Sequence, residues 1–153
     1  LALFEGEALL YHGVEKIRNR NSPDMIIKKI RKLILQLIND FHPEILLVEK
    51  TFIGKSRNVS LLNVVADEIQ AVGRRKGLKV QTYAANTVRK IVCGSGRADK
   101  QDVAKVVAAN YPELSLYLKQ DRRWKEVYWQ NMFDAVALGM AWREVKGRDA
   151  RRA

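Results

Sequence analysis

The 153-residue chain has one cysteine, three prolines and two histidines. A single cysteine excludes an internal disulfide and any cysteine-based zinc cluster, and it suits a reducing cytoplasm. His12 and His42 stand alone in the sequence and read as structural residues. No apolar run approaches the ~20 residues needed to span a bilayer. Leu1-Ala2-Leu3-Phe4 is too short for a signal peptide and lacks its basic flank. Acidic residues are also scarce: 17 Asp and Glu face 28 Lys and Arg, a net charge of +11. That balance points to a polyanionic partner. Nucleic acid leads, ahead of ribosomal, membrane-surface or merely solubilising roles. The cations are spread along the chain, which favours a basic face on a folded domain over a basic tail.

What is present is an ordinary globular composition, 47% hydrophobic and 29% charged. The length is that of one domain, 1–153. Leu1 to Glu5 reads as the end of a strand, and Ala8 to Ile17 contains a second, forming a hairpin about Gly6-Glu7. Ser22-Pro23 opens a helix, with Asp24 in its first turn and Ile26, Ile30, Leu33, Ile34, Leu37 and Ile38 at helical spacing. Pro43 ends it. A strand Ile45 to Glu49 follows, then a helix Val59 to Arg75 closed by Gly77, and a strand Leu78 to Tyr83. A short helix over Thr87 to Val92, a helix from Asp99 to about Asn110, an irregular stretch and a last helix from about Tyr128 to Val145 complete the chain, ahead of a basic tail. Helix and strand in alternation indicate an α/β layer.

Ile45-Leu46-Leu47-Val48-Glu49 is an aliphatic run that stops on a carboxylate. Such a run reads as a strand buried on both faces of a mostly parallel sheet. Ligands bind at the carboxyl ends of such strands, where Glu49 sits. Glu49 is either a solvated or salt-bridged strand-end acid, or a ligand for a hard divalent cation. Asp134 is the second acid in apolar company, followed by Ala135, Ala137, Leu138 and Ala141. Small residues let a helix lie close to a sheet, and an acid there is costly unless paired or coordinating. The alternative for Asp134 is a helix-initial acid favoured by the dipole. Asn131 shares its face, one turn earlier. Lys50, Lys55 and Arg57 flank Phe52 in a loop that can grip phosphates while the ring stacks on or wedges between bases. Arg89, Lys90, Arg97 and Lys100 surround Gly94-Ser95-Gly96, whose glycines let backbone amides approach a phosphate. Tyr117, Trp124, Tyr128 and Trp129 can stack on bases or cover the core. Cys93 reads as a small packed residue with no histidine nearby to activate it.

Ile45 to Phe52, Tyr83 to Lys90, Gly94 to Lys100 and Asp134 to Gly139, in that order and spacing, resemble the RuvC family of Holliday-junction resolvases. The resemblance implies an RNase H-like α/β fold: a five-stranded mixed sheet, antiparallel hairpin strands followed by parallel ones, flanked by helices. It implies a homodimer that nicks four-way DNA junctions symmetrically with Mg²⁺ or Mn²⁺. It makes Glu49 and Asp134 catalytic metal ligands and Phe52 the aromatic inserted at the crossover. It places Arg89 and Lys100 near the scissile phosphate.

Two departures follow. Asn131 stands where the family usually has a further acid, so an amide replaces a charge. The family's first strand carries an Asp-x-Gly motif, which is absent from this sequence. With no initiator Met, the expectation is a domain lacking the N-terminal half of its first strand. The alternatives are a catalytically silent junction-binding domain, or another nuclease or transposase on the same scaffold.

Overall fold

The computed structural model of the chain describes residues 1–16, 22–50, 57–118 and 123–152. They form four strands and six α-helices, divided between two compact units. One unit is Lys16–Ala84; the other joins Leu1–Glu15 to Ala85–Ala153.

In the unit Lys16–Ala84, helix α1 (Pro23–Phe41) starts where the sequence predicts. Ser22 is extended and its hydroxyl oxygen accepts the Met25 N–H at 3.4 Å, while Pro23 fills the first helical position. Ile26, Ile30 and Ile34 recur every four residues and are buried. They pack with Val72 of α2 (Arg57–Arg75), which forms the main core of this unit. His42 ends α1 in the left-handed region, φ 47°, its N–H donating to Ile38 O. The chain then enters β3 (Ile45–Glu49), which pairs in parallel with β4 (Lys79–Tyr83), Ile45 opposite Lys79 and Glu49 opposite Tyr83. Gly77, φ +80°, turns α2 into β4. At Gly73 a Cβ would stand 2.6 Å from Leu46 Cδ2 and 3.1 Å from Val80 Cγ2, so α2 rides directly on the strand pair.

One expectation is corrected here. Ile45 to Val48 are half-buried rather than enclosed on both faces. Among the described residues β3 has one hydrogen-bonded neighbour, β4, and within its unit α2 covers the face that carries Leu46.

In the other unit, β1 (Ala2–Glu5) and β2 (Ala8–His12) form the expected antiparallel hairpin, with Gly6 at φ +57° in its turn. β2, Ala8–His12, lies within the span Ala8 to Ile17 that was expected to contain it. Helices α3 (Ala85–Cys93), α4 (Lys100–Asn110), α5 (Ser115–Leu118) and α6 (Arg123–Arg152) follow, with a 3₁₀ turn at Pro112–Leu114. Met132, Val136, Ala137 and Ala141 of α6 are fully buried, as are Val107 and Leu114. Alanine and glycine on α6 permit close approach: a Cβ on Gly139 would collide with the Phe4 ring of β1. Arg143 secures the hairpin, donating to Gly6 O and to the Tyr111 hydroxyl while its guanidinium lies 5.2 Å from the Phe4 ring centre. The predicted basic tail is helical. α6 runs on to Arg152, supported by an Arg148–Glu144 ion pair one turn apart.

The mixture of antiparallel and parallel strands with helices is the one expected. The count differs: among the described residues there are four strands in two two-stranded sheets, not five in one.

The Gly139 contact gives a stability prediction. Gly139→Val forces a branched side chain into the Phe4 ring and is expected to cost about 1–3 kcal/mol by urea denaturation. Gly147→Ala, two turns further along the same helix, meets nothing closer than 3.8 Å. It is expected to be neutral or to stabilise by up to ~1 kcal/mol.

Candidate active site

Asp134 lies deep within α6, because the helix begins at Arg123 rather than near Tyr128. The dipole of the first turn therefore cannot account for it, since that effect fades within a turn. Side-chain contacts hold the carboxylate instead. Gln130 Nε2 donates to Oδ1 at 3.1 Å, and Lys100 Nζ stands 3.9 Å from Oδ2. Gln130 Nε2 also reaches Lys100 O at 3.4 Å, tying α6 to the start of α4. Asp134 retains 27% of its side-chain exposure, so it is reachable from solvent. Asn131, one turn earlier, is exposed.

Lys100 owes its place to a well-built helix start. Asp99 is the N-cap of α4: its Oδ1 accepts the Asp102 N–H at 2.8 Å, and Asp102 Oδ2 accepts the Asp99 N–H at 3.0 Å. The turn before it leaves α3 through Gly94, φ +76°. Ser95 then satisfies the next amides locally, its Oγ accepting from Arg97 N–H and its carbonyl from Ala98 N–H. Gly96 packs near Asn86 O, where a Cβ would sit at 3.4 Å. These glycines thus reverse the chain between two helices, with the Arg97 and Ala98 amides engaged within the turn. The side chains remain available: Lys90, Arg97 and Lys100 are exposed and Arg89 half-buried. Cys93, at the end of α3, has its thiol pushed above the usual range by burial, reinforced by Asp102 and Asp99 and opposed by Arg89.

The aromatic group resolves toward packing. Tyr117 and Trp129 lie 4.3 Å apart between ring centres, Tyr128 stands edge-on to Trp129, and His12 edge-on to Tyr117. The Tyr128 hydroxyl donates to Val14 O at 3.4 Å. These rings cover the core of their unit. Trp124 lies outside the described side chains.

In the unit Lys16–Ala84, Glu49 is the exposed last residue of β3, as predicted. By strand alternation it shares a face with Ile45 and Leu47, opposite the one α2 covers at Leu46. Lys50 follows, exposed, its N–H donating to Tyr83 O at 2.8 Å. Phe52 and Lys55 lie outside the described residues, as does the side chain of Arg57, whose backbone opens α2.

Among the described residues no three His, Cys, Asp or Glu side chains cluster closely enough to form a ready metal cage. The donor chemistry nevertheless suits a hard cation. Mg²⁺ needs only one or two carboxylates, completing its shell with water and substrate phosphate. The Lys100 ammonium beside Asp134 marks a position that already accepts positive charge. Gln130 is the residue that reading the sequence missed. Its signal was its spacing, four residues before an acid on one helical face.

A model of the family described as crossover junction endodeoxyribonuclease RuvC matches residues 5–122, which include Glu49, Arg89, Arg97 and Lys100 and stop short of Asn131 and Asp134. Crossover junction endodeoxyribonuclease RuvC of Rickettsia typhi is 30% identical over 83% of this chain and 71% of its own length. That of Chlorobium phaeovibrioides is 30% identical over 63% and 52%. The chain thus spans about half to seven-tenths of these curated relatives. Among solved structures, Thermus thermophilus RuvC superposes with a TM-score of 0.71 at 18% identity, covering 95% of this chain and 87% of that one. Its complex with Holliday junction substrate gives 0.72 at 18% identity, covering 96% and 85%. The two establish an RNase H-like fold.

The raised Cys93 thiol has a measurable consequence. Its thiolate is scarcer at any given pH than that of a free cysteine, so labelling by a disulfide reagent at pH 8 is expected to be slower than for a small thiol. The rate should rise only as pH passes above the ordinary thiol range. Labelling as fast as a free thiol would show the site to be open and unperturbed.

Proposed function

The chain belongs to the RuvC family of crossover junction endodeoxyribonucleases, and on that footing we propose that it is a structure-selective DNA endonuclease that resolves four-way junctions by symmetric, metal-dependent nicking. The observation that carries this reading is Asp134: an acid in mid-helix, on an alanine-rich helix, paired with a lysine that belongs to a basic turn. The solved Thermus relative in complex with a Holliday junction supports the substrate class.

In this reading Glu49 and Asp134 are the carboxylate ligands of Mg²⁺ or Mn²⁺, and Asn131 orients water through its amide oxygen. The bound ion would supply Lewis-acid charge at the scissile phosphate. Lys100, Arg97, Lys90 and Arg89 neutralise the strand being cut, while Lys50, Lys55 and Arg57 hold the backbone beside Phe52 at the crossover. Attack in line leaves a 5′-phosphate and a 3′-hydroxyl. The enzyme acts as a homodimer, whose two-fold axis matches that of the junction. One nuclease domain, 1–153, works with the chromosome in the cytoplasm. Among the described residues no helix is long and apolar enough to cross a membrane.

A catalytically silent junction-binding domain is the second reading. It is favoured by Asn131 in place of an acid and by the lack of a three-ligand cluster among the described residues.

Nicking of a labelled four-way junction separates the two. Glu49→Gln and Asp134→Asn are each expected to slow cleavage by about 10²–10³-fold while preserving junction binding. Unchanged nicking would remove both from the active site, and no metal-dependent nicking by the unaltered protein would favour the silent domain. Lys100→Met tests the ion pair separately. Removing a unit charge ~4 Å from Asp134 at water-like screening is worth ~1 kcal/mol, so Mn²⁺ binding followed by electron paramagnetic resonance should tighten roughly five-fold. Weaker binding would mean that Lys100 does not compete with the ion.

A further inference from the structure

The unit Lys16–Ala84 carries a second cationic surface on its helices α1 and α2. β3 and β4 run parallel, so α2 must return antiparallel to them between the carboxyl end of β3 and the amino end of β4. Glu49 lies at the carboxyl end. Arg75 and Lys76 lie at the amino end, beyond an α2 of about 28 Å. A shallow groove made of two adjoining hollows of about 480 and 430 Å³, which share Arg31 and Leu35, runs along α1 and reaches the end of α2. Lys28 and Lys32 line the first, Arg75 and Lys76 the second.

The groove is organised rather than merely basic. A single carboxylate oxygen, Glu68 Oε1, accepts from Arg31 Nε at 2.7 Å and from Arg75 Nη2 at 3.0 Å. The two arginines, from different helices, are thereby held side by side, each with further N–H groups pointing to solvent. Arg31 above all holds the Glu68 carboxyl below its ordinary range, with Arg75 assisting. Lys28, Lys32 and Lys76 have no carboxylate within 4 Å among the described residues. Five cations therefore face two acids, Glu68 and Asp40. On α1, Lys28 stands about one helical turn from Arg31 and Lys32.

We propose that this groove binds the sugar–phosphate backbone of a duplex arm leading away from the junction. The inference rests on the reading of the substrate as branched DNA. A groove lined with exposed cations fits a linear array of phosphates. An acidic protein segment fits less well, because such interfaces centre on a large apolar anchor pocket. Here Leu35 is half-buried and Val72 only 2% exposed. None of the residues lining the groove is assigned to the chemistry, so it contributes affinity and arm orientation.

The test compares the protein with its Lys28→Gln, Lys32→Gln, Lys76→Gln triple variant on four-way junctions with long and with truncated arms, across a salt series. Three lost phosphate contacts should lower the log–log salt slope by about 2.7 on long arms. Slope and nicking on truncated arms should be unchanged. An unchanged slope on long arms, or an equal fall on both substrates, would overturn the groove as an arm-binding surface. So would intact junction binding together with lost binding of poly-glutamate, which would assign it to an acidic protein. If the unaltered protein binds neither junction, the functional reading fails and this role with it. If it nicks truncated junctions normally but shows no arm-dependent change, the groove alone is wrong.

Discussion

A carboxylate in the middle of a helix that packs through alanine and glycine has no helix terminus to stabilise it, and neighbouring side chains in the unit that carries Asp134 take that part. Asp134 cannot draw on a helix terminus, so Lys100 and Gln130 hold it. Lys100 can do so because the Asp99–Asp102 cap fixes where α4 begins and the Gly94–Gly96 turn returns the chain from α3. The close packing of the helix that carries the acid lets Gly139 meet Phe4 and anchors the hairpin to α6. Stability and site position in this unit are two consequences of one small-residue stripe.

Electrostatics divides the basic residues into two kinds. Some are constrained by acids: Arg31 and Arg75 by Glu68, Lys100 by Asp134, Arg148 by Glu144. Exposed pairs of this sort add little to stability, and their effect is to fix where a cation points. The others, such as Lys28, Lys32, Lys90 and Arg97, extend into solvent and sustain the excess of +11. Pre-oriented cations beside free ones are what a polyanion requires. The oriented ones set register, and the free ones supply long-range attraction that falls with salt.

Local rules carried far along this chain. The Ser22-Pro23 start, the Asp99 cap, the Gly77 stop and the β3 run ending on Glu49 all stand where short-range chemistry puts them. These signals depend on a few adjacent residues. Boundaries set by remote contacts were less legible. α6 extends by a turn or more at both ends of its predicted span, and the contacts of Arg143 with Tyr111 and Phe4, far apart in sequence, decide where hairpin and helix support each other. The aromatic residues of 117–129 were ambiguous for the same reason. Whether a ring stacks on a base or on another ring depends on its neighbours in space.

By itself the sequence determined the α/β class, the excess of positive charge, the two acids in apolar context and the family that the motif order resembles. Composition, periodicity and motif order are properties of the chain alone. Only the tertiary structure decided that Asp134 is held by Lys100 and Gln130 and that Glu68 gathers two arginines from separate helices. Each of these joins residues that no local signal connects. Charge–charge and hydrogen-bond energies depend on distance through space, and distance along the chain does not supply it.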